Sequence, residues 1–188
     1  MSSGLSDNTD ISLVLHQLPV VTPEVAGRFG APPTDAFTIA PALVQPTSKG
    51  SVRLASNTFQ DAAVIDGNYA GTDHDFAAIV HAIEIARELG NQHAFDRLRE
   101  SELVPGPKAS PGEIRDLVRL ASASFGHAVG TCKMGVDKLA VVDPELRVHG
   151  ILGLRVADAS VMPQIITGPG TNASTHMIAG RAAKLILG

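Results

Sequence analysis

The sequence predicts an α+β fold in which helices cover an antiparallel sheet. Three observations carry this expectation. Short apolar, β-branched runs bounded by Pro, Gly and Ser fill the first third of the chain, as strands separated by turns do. Two longer stretches with apolar residues at helical spacing follow them. After Phe125 the pattern changes to glycine-punctuated segments carrying polar residues, and a last helical stretch closes the chain.

Residues 11–18 are apolar and β-branched enough for a strand, which Pro19 and Pro23 end. Residues 25–35, rich in Gly, Ala and Pro, read as a loop. Residues 37–44 predict a second strand, with Pro41 indicating an edge or a bulge. A turn over 46–50 leads to residues 51–55, which alternate polar and apolar as a half-buried strand does. A short apolar run over 62–65 stops at Asp66, Gly67 and Asn68. Together these pieces suggest one antiparallel sheet.

The first helix is expected to start at Thr72 or Asp73, either one a good N-cap. Phe76, Ile79, Val80, Ile83, Ala86 and Leu89 form its apolar stripe, and Gly90 suits the C′ position. The second helix has Ser110 as N-cap, Pro111 at N1 and Glu113 at N3, a capping box. Ile114, Leu117, Val118 and Ala121 make its apolar face, and a loop over 104–108 separates the two helices. Residues 141–150 read as a strand or turn pair ending in glycine, and 154–157 as a short strand ending at Asp158. Residues 173–187 predict a final helix that buries Met177, Ile178, Ala182, Leu185 and Ile186. The chain divides into a polar tail over 1–10, a body over 11–124 and a segment of different character over 125–188.

Composition narrows the function classes. Hydrophobic content of 44% and charged content of 18% fit a globular protein with a sizeable core. A net charge of −4 and singly scattered basic residues argue against a nucleic-acid surface. No apolar run reaches the roughly 18 residues of a membrane span, and the opening residues lack the basic and apolar regions of a signal peptide. The expectation is a cytoplasmic protein. Cys132, the single cysteine, excludes an internal disulfide and reads as a buried thiol. His127 and Cys132 lack the paired spacing of a structural zinc site, so no metal is expected.

Four segments stand in one order: His127-Ala128-Val129-Gly130-Thr131-Cys132-Lys133-Met134-Gly135, residues 142–150, Leu154-Arg155-Val156-Ala157-Asp158-Ala159-Ser160, and Thr171-Asn172-Ala173. Together they resemble the C-terminal, substrate-binding portion of the glucose–methanol–choline (GMC) oxidoreductase family, in its choline-dehydrogenase-like form. Residues 46–52 and 66–69 resemble it more weakly. The resemblance implies a substrate-binding domain over 11–124. It further implies a catalytic segment over 125–188 whose strand and helix complete an FAD-binding α/β domain.

The chemistry implied is oxidation of an alcohol CH–OH group by hydride transfer to FAD. His127 matches the histidine that takes or shares the hydroxyl proton, and imidazole suits that task because its ordinary pKa lies nearest neutrality. Asn172 matches the residue that holds the substrate oxygen, where an amide donates without competing for the proton. Asp158 and Ala159 match positions whose backbone touches the ribityl and pyrophosphate region of FAD. Ala173 and Thr175 match the flavin edge. The chain departs from the pattern at Gly126, where many relatives carry an aromatic, and at Ala128, which replaces a common proline. The turn over 165–172 is about one residue longer than the family pattern, so His176, one helical turn beyond Asn172, is the second candidate for the oxygen-holding position.

The family's Gly-x-Gly-x-x-Gly turn within a βαβ unit is absent from this sequence, and Gly168-Pro169-Gly170 is no substitute for it. The resemblance therefore implies a partner polypeptide carrying the FAD-binding Rossmann domain, and a chain inactive alone. A non-redox lyase of the same family and a non-catalytic or truncated GMC-like binding or assembly protein are the alternatives.

Overall fold

The computed structural model describes residues 1–7, 9–166 and 170–188. It comprises two compact units, one of residues 1–49 and 68–123, the other of residues 50–67 and 124–188. The mixed α/β character expected from the sequence is present, with two small antiparallel sheets and four α-helices among the described residues.

In the first unit, β1 (Ile11–His16) pairs antiparallel with β2 (Thr38–Leu43), and Leu13 faces Pro41 across the ladder. With only two strands in this sheet, Pro41 lies on an edge, where its missing N–H removes no second ladder. Between the strands, α1 (Pro23–Phe29) occupies a stretch whose composition reads as loop. Thr22 caps it by accepting from Val25 N–H, Pro23 opens it, and Gly30 ends it at φ 88°. These three terminal signals outweigh the poor helix propensity of Gly27.

Thr72 caps α2 (Asp73–Gly90), and the helix runs through Gly90 to a C-cap at Asn91. Its most buried face is not the stripe of large residues but Asp75, Ala78, Ala82 and Ala86. Small side chains on that line admit close approach to β1 and β2, while Phe76, Ile79 and Ile83 fill the flanks. Arg115 and Arg119 of α3 (Pro111–Ala121) cover the Phe76 ring at 4.7 and 5.0 Å. The capping box of α3 is complete, and Ile114, Leu117 and Val118 are buried.

Asp75 is the polar centre of this unit. Its carboxylate is 1% exposed and accepts from Thr47 N–H at 2.9 Å, Thr47 Oγ1 at 2.8 Å and Ser48 N–H at 2.7 Å. Burial pushes its pKa up, but the hydrogen bonds from Ser48 and Thr47 outweigh burial and hold it down to about 2.

In the second unit, β3 (Ser51–Arg53) pairs with β4 (Val64–Asp66) as a separate sheet, so the predicted strands form two ribbons rather than one. The core of this unit joins Val142, Leu146, Val161, Met162, Ile178 and Ala182. Residues 134–156 reach it through single bridges, Met134 to Val142, Val142 to Val148 and Arg147 to Arg155. Residues 154–157 therefore do not form the predicted strand. One bridge is all the pairing this segment has among the described residues, and Leu154 is 47% exposed. α4 (Asn172–Leu187) buries Ser174, Ile178 and Ala182 but leaves Met177 and Ile186 more than half exposed. Its core contact is a single line at i, i+4 and i+8, too narrow to take in the wider stripe the sequence predicted.

Candidate active site

The second unit brings three segments far apart in sequence around one core, and each carries candidate site residues. The His127 segment is anchored first. Gly130 N–H and Cys132 N–H both donate to Ser160 carbonyl, at 3.1 and 3.0 Å, and Met134 N–H donates to Val161 carbonyl at 2.8 Å. Val129 and Met134 then pack against the buried cluster. Three backbone bonds and two apolar anchors thus fix the loop that begins at His127.

Those bonds end on the turn that follows Asp158. Asp158 caps a 3₁₀ turn over Ala159–Val161, its carboxylate accepting from Ser160 N–H at 2.7 Å. Hydrogen bonds from Ser160, side chain and then backbone, hold the Asp158 carboxyl below its ordinary value. Asp158 is exposed, Ala159 is half-buried against the core, and Val161 is fully buried.

The third segment approaches His127 directly. At Gly170, whose φ is +152°, a Cβ would lie 3.0 Å from His127 Nε2 and 3.1 Å from Cε1. The half-buried imidazole thus rests against the backbone two residues before Asn172. The rest of the predicted turn, residues 167–169, lies outside the described residues.

Asn172 is the first residue of α4, with Thr171 as the N-cap residue. Thr171 makes no side-chain cap bond and has helical φ and ψ, so its hydroxyl leaves the first-turn N–H groups to other partners. Asn172 and Ala173 are exposed at this end. Thr175 donates its hydroxyl to Thr171 carbonyl at 2.8 Å, inside the helix. His176 is exposed one turn further on.

Two participants were not picked out from the sequence. Ser160 is the shared acceptor that ties the first two segments together, and nothing in a lone serine after a turn signals that role. Gly170 is the surface that receives the imidazole. Cys132 is half-buried rather than buried. No group of three or more His, Cys, Asp or Glu suited to a metal ion occurs among the described residues. Among them, too, no helix is long and apolar enough to cross a membrane.

Comparison with known proteins identifies the family. The family model described as GMC oxidoreductase, for its C-terminal domain, matches residues 46–179. Oxygen-dependent choline dehydrogenase of Klebsiella pneumoniae subsp. pneumoniae is 46% identical over 142 residues, 75% of this chain and 26% of that protein. The Escherichia coli O45:K1 protein of the same name is 44% identical over 142 residues, 75% of this chain and 25% of its own length. The chain thus spans about a quarter of these curated relatives.

Among solved structures, pyridoxine 4-oxidase from Mesorbium loti superposes with a TM-score of 0.85 at 33% identity, over 93% of this chain and 34% of that one. An FAD-dependent oxidoreductase from Chaetomium thermophilum gives 0.71 at 30% identity, over 79% of this chain and 26% of that one. The chain belongs to the GMC oxidoreductase family, of which it carries the C-terminal domain.

Proposed function

We propose that this chain supplies the proton-handling residues for FAD-dependent oxidation of an alcohol CH–OH group. The observation that carries the reading is the approach of the His127 imidazole to Gly170 at the entrance to α4. It puts an imidazole, the side chain most often used for proton transfer, beside a helix start whose N-cap side chain makes no cap bond.

FAD, when bound, would supply the acceptor for the hydride that leaves the alcohol carbon. His127 takes the hydroxyl proton at an imidazole nitrogen as that hydride leaves, so an aldehyde or ketone forms. The Asn172 amide donates to the substrate oxygen, holding it while its charge grows. The exposed start of α4 favours negative charge nearby, which fits the pyrimidine edge of a flavin. Ala173 and Thr175 would line that edge, and the backbone of Asp158 and Ala159 would hold the ribityl and pyrophosphate region.

A polypeptide bearing the Rossmann FAD-binding domain completes the enzyme, either as a separate subunit or as the preceding part of a longer chain. The share of each relative that this chain spans supports that reading. So does the exposure of Leu152, Leu154 and Met177. The assembled protein works in the cytoplasm. Choline is the first alcohol to test, given the names of the 44–46% identical relatives.

The experiment is anaerobic mixing of the flavin-loaded complete protein with alcohols, following flavin bleaching. Bleaching by an alcohol that is lost in His127→Gln, with flavin still bound, supports the proposal. Equal bleaching rates in both proteins overturn the role of His127, and no bleaching by any alcohol favours a non-redox use of the site.

A further inference from the structure

The surroundings of His127 go beyond a backbone contact on one side. The Phe125 ring meets the imidazole in a T-shaped arrangement, with centroids 5.6 Å apart and planes at 71°. Between them Gly126 sits at φ +79°, and its N–H donates to Ser124 Oγ at 3.0 Å. That turn carries the chain through a conformation that side chains disfavour and sets the two rings against each other. From a segment more than 40 residues away, Gly170 brings bare backbone against Nε2 and Cε1 of the same imidazole.

We infer that Phe125 and Gly170 form a slot that fixes the orientation of the His127 imidazole, so that both are positioning residues for the proton-transfer step. The inference rests on the reading of His127 as the proton acceptor. An imidazole on a loop has two torsions to fix before either nitrogen is aimed. The edge-to-face contact restrains the ring plane, because it is one of the two geometries that aromatic pairs favour over a face-to-face sandwich. The glycine sets the limit of approach. A methyl group at position 170 would lie 3.0 Å from Nε2, so the ring would have to move, and φ +152° already disfavours a side chain there.

Proton transfer demands this aim. Misplacement of a reacting group by about 1 Å costs on the order of a hundredfold in rate. Phe125 is 55% exposed, and orienting the neighbouring imidazole is a role that exposure does not oppose.

Two readouts test the slot. In the 188-residue chain, nuclear Overhauser contacts should join the His127 ring protons to the Phe125 ring and to the Gly170 Hα atoms. Phe125→Leu should abolish the single ring orientation, Phe125→Tyr should restore it, and Gly170→Ala should displace the imidazole while the remaining amide spectrum persists. In the flavin-loaded complete protein, Phe125→Leu should lower the limiting rate of flavin reduction about tenfold, with KM within about twofold, and Gly170→Ala about a hundredfold. Phe125→Tyr should recover the rate.

His127→Gln is measured alongside. If it leaves the rate unchanged, the proton-acceptor reading fails. If it abolishes reduction while Phe125→Leu changes neither the ring contacts nor the rate, the slot is overturned and the acceptor reading stands. Should Gly170→Ala fail to fold, the Leu and Tyr variants at 125 decide the outcome alone.

Discussion

The carbonyl of Ser160 accepts two N–H groups at once, from Gly130 at 3.1 Å and from Cys132 at 3.0 Å. This pair of hydrogen bonds to one oxygen splices the loop after His127 onto the turn after Asp158. The segment that carries the candidate base is thereby tied to the segment of Asp158 and Ala159, which is seated on Val161 and Met162 in the core.

The first prediction concerns His127. Replacing it with Gln in the flavin-loaded protein should slow flavin reduction by about 10²–10⁴-fold, the usual contribution of a positioned general base. Flavin absorbance should stay unchanged, since the reading gives His127 no part in holding the cofactor. Stopped-flow reduction at saturating alcohol measures the first quantity and a simple spectrum the second.

Asn172 separates a catalytic role from a capping role. Thr171, not Asn172, occupies the N-cap position, so Asn172→Ala should change thermal stability by no more than about 0.5 kcal/mol. The same variant should lower the limiting rate of flavin reduction tenfold or more, the loss expected for one donor to a developing oxyanion. A large drop in stability with an unchanged rate would make Asn172 a structural residue.

The core under the site is open to direct test. Ile178 is 7% exposed within the buried cluster, so Ile178→Ala should destabilise the chain by about 2–5 kcal/mol. Its neighbour Met177 is 69% exposed, and Met177→Ala should cost far less in the chain by itself. Urea denaturation of the two variants gives the comparison. Equal losses would contradict the inward line through Ser174, Ile178 and Ala182.

Asp75 should give the chain an acid-sensitive component of stability. Its folded pKa, about 2, lies below the ordinary 3.8, so the unfolded chain takes up the proton first as pH falls. The stabilisation is full above the ordinary value and is lost as the pH drops through about 2. Asp75→Ala should remove that dependence and cost about 1–3 kcal/mol at neutral pH, because the Thr47 and Ser48 N–H groups lose their acceptor. Unfolding curves between neutral pH and pH 2 check both parts.

The association surface yields the last prediction. Leu152 is fully exposed and Leu154 nearly half exposed, so Leu152→Ser should leave the isolated chain as stable as before. In the proposed complex with the FAD-binding polypeptide the same change should weaken binding by tenfold or more, since a buried leucine is worth about 1.5–3 kcal/mol. Titration calorimetry with the partner supplies the number.

Local signals in the sequence were sufficient wherever the chain settles its own conformation. Ser110, Pro111 and Glu113 spell out the start of α3, and the helix follows, because capping is decided within four residues. The strands at 11–16 and 38–43 and the final helix are legible from their local apolar patterns, and the four ordered segments after Phe125 already marked the family.

Other features needed tertiary structure. Which face of α2 turns inward was decided by how closely it packs on β1 and β2, and small alanines won over larger side chains. Among the described residues the strands at 51–53 and 64–66 pair only with each other, a choice between partners that alternation alone does not make. Above all, the meeting of His127 with Gly170 and of Gly130 with Ser160 spans dozens of residues, and no local pattern encodes it. The sequence determined which residue types could handle a proton. The shared core of Val161, Met162 and Ile178, with the backbone bonds to Ser160 and Val161, decided that they stand together, because burial of that common apolar surface gathers segments distant in sequence.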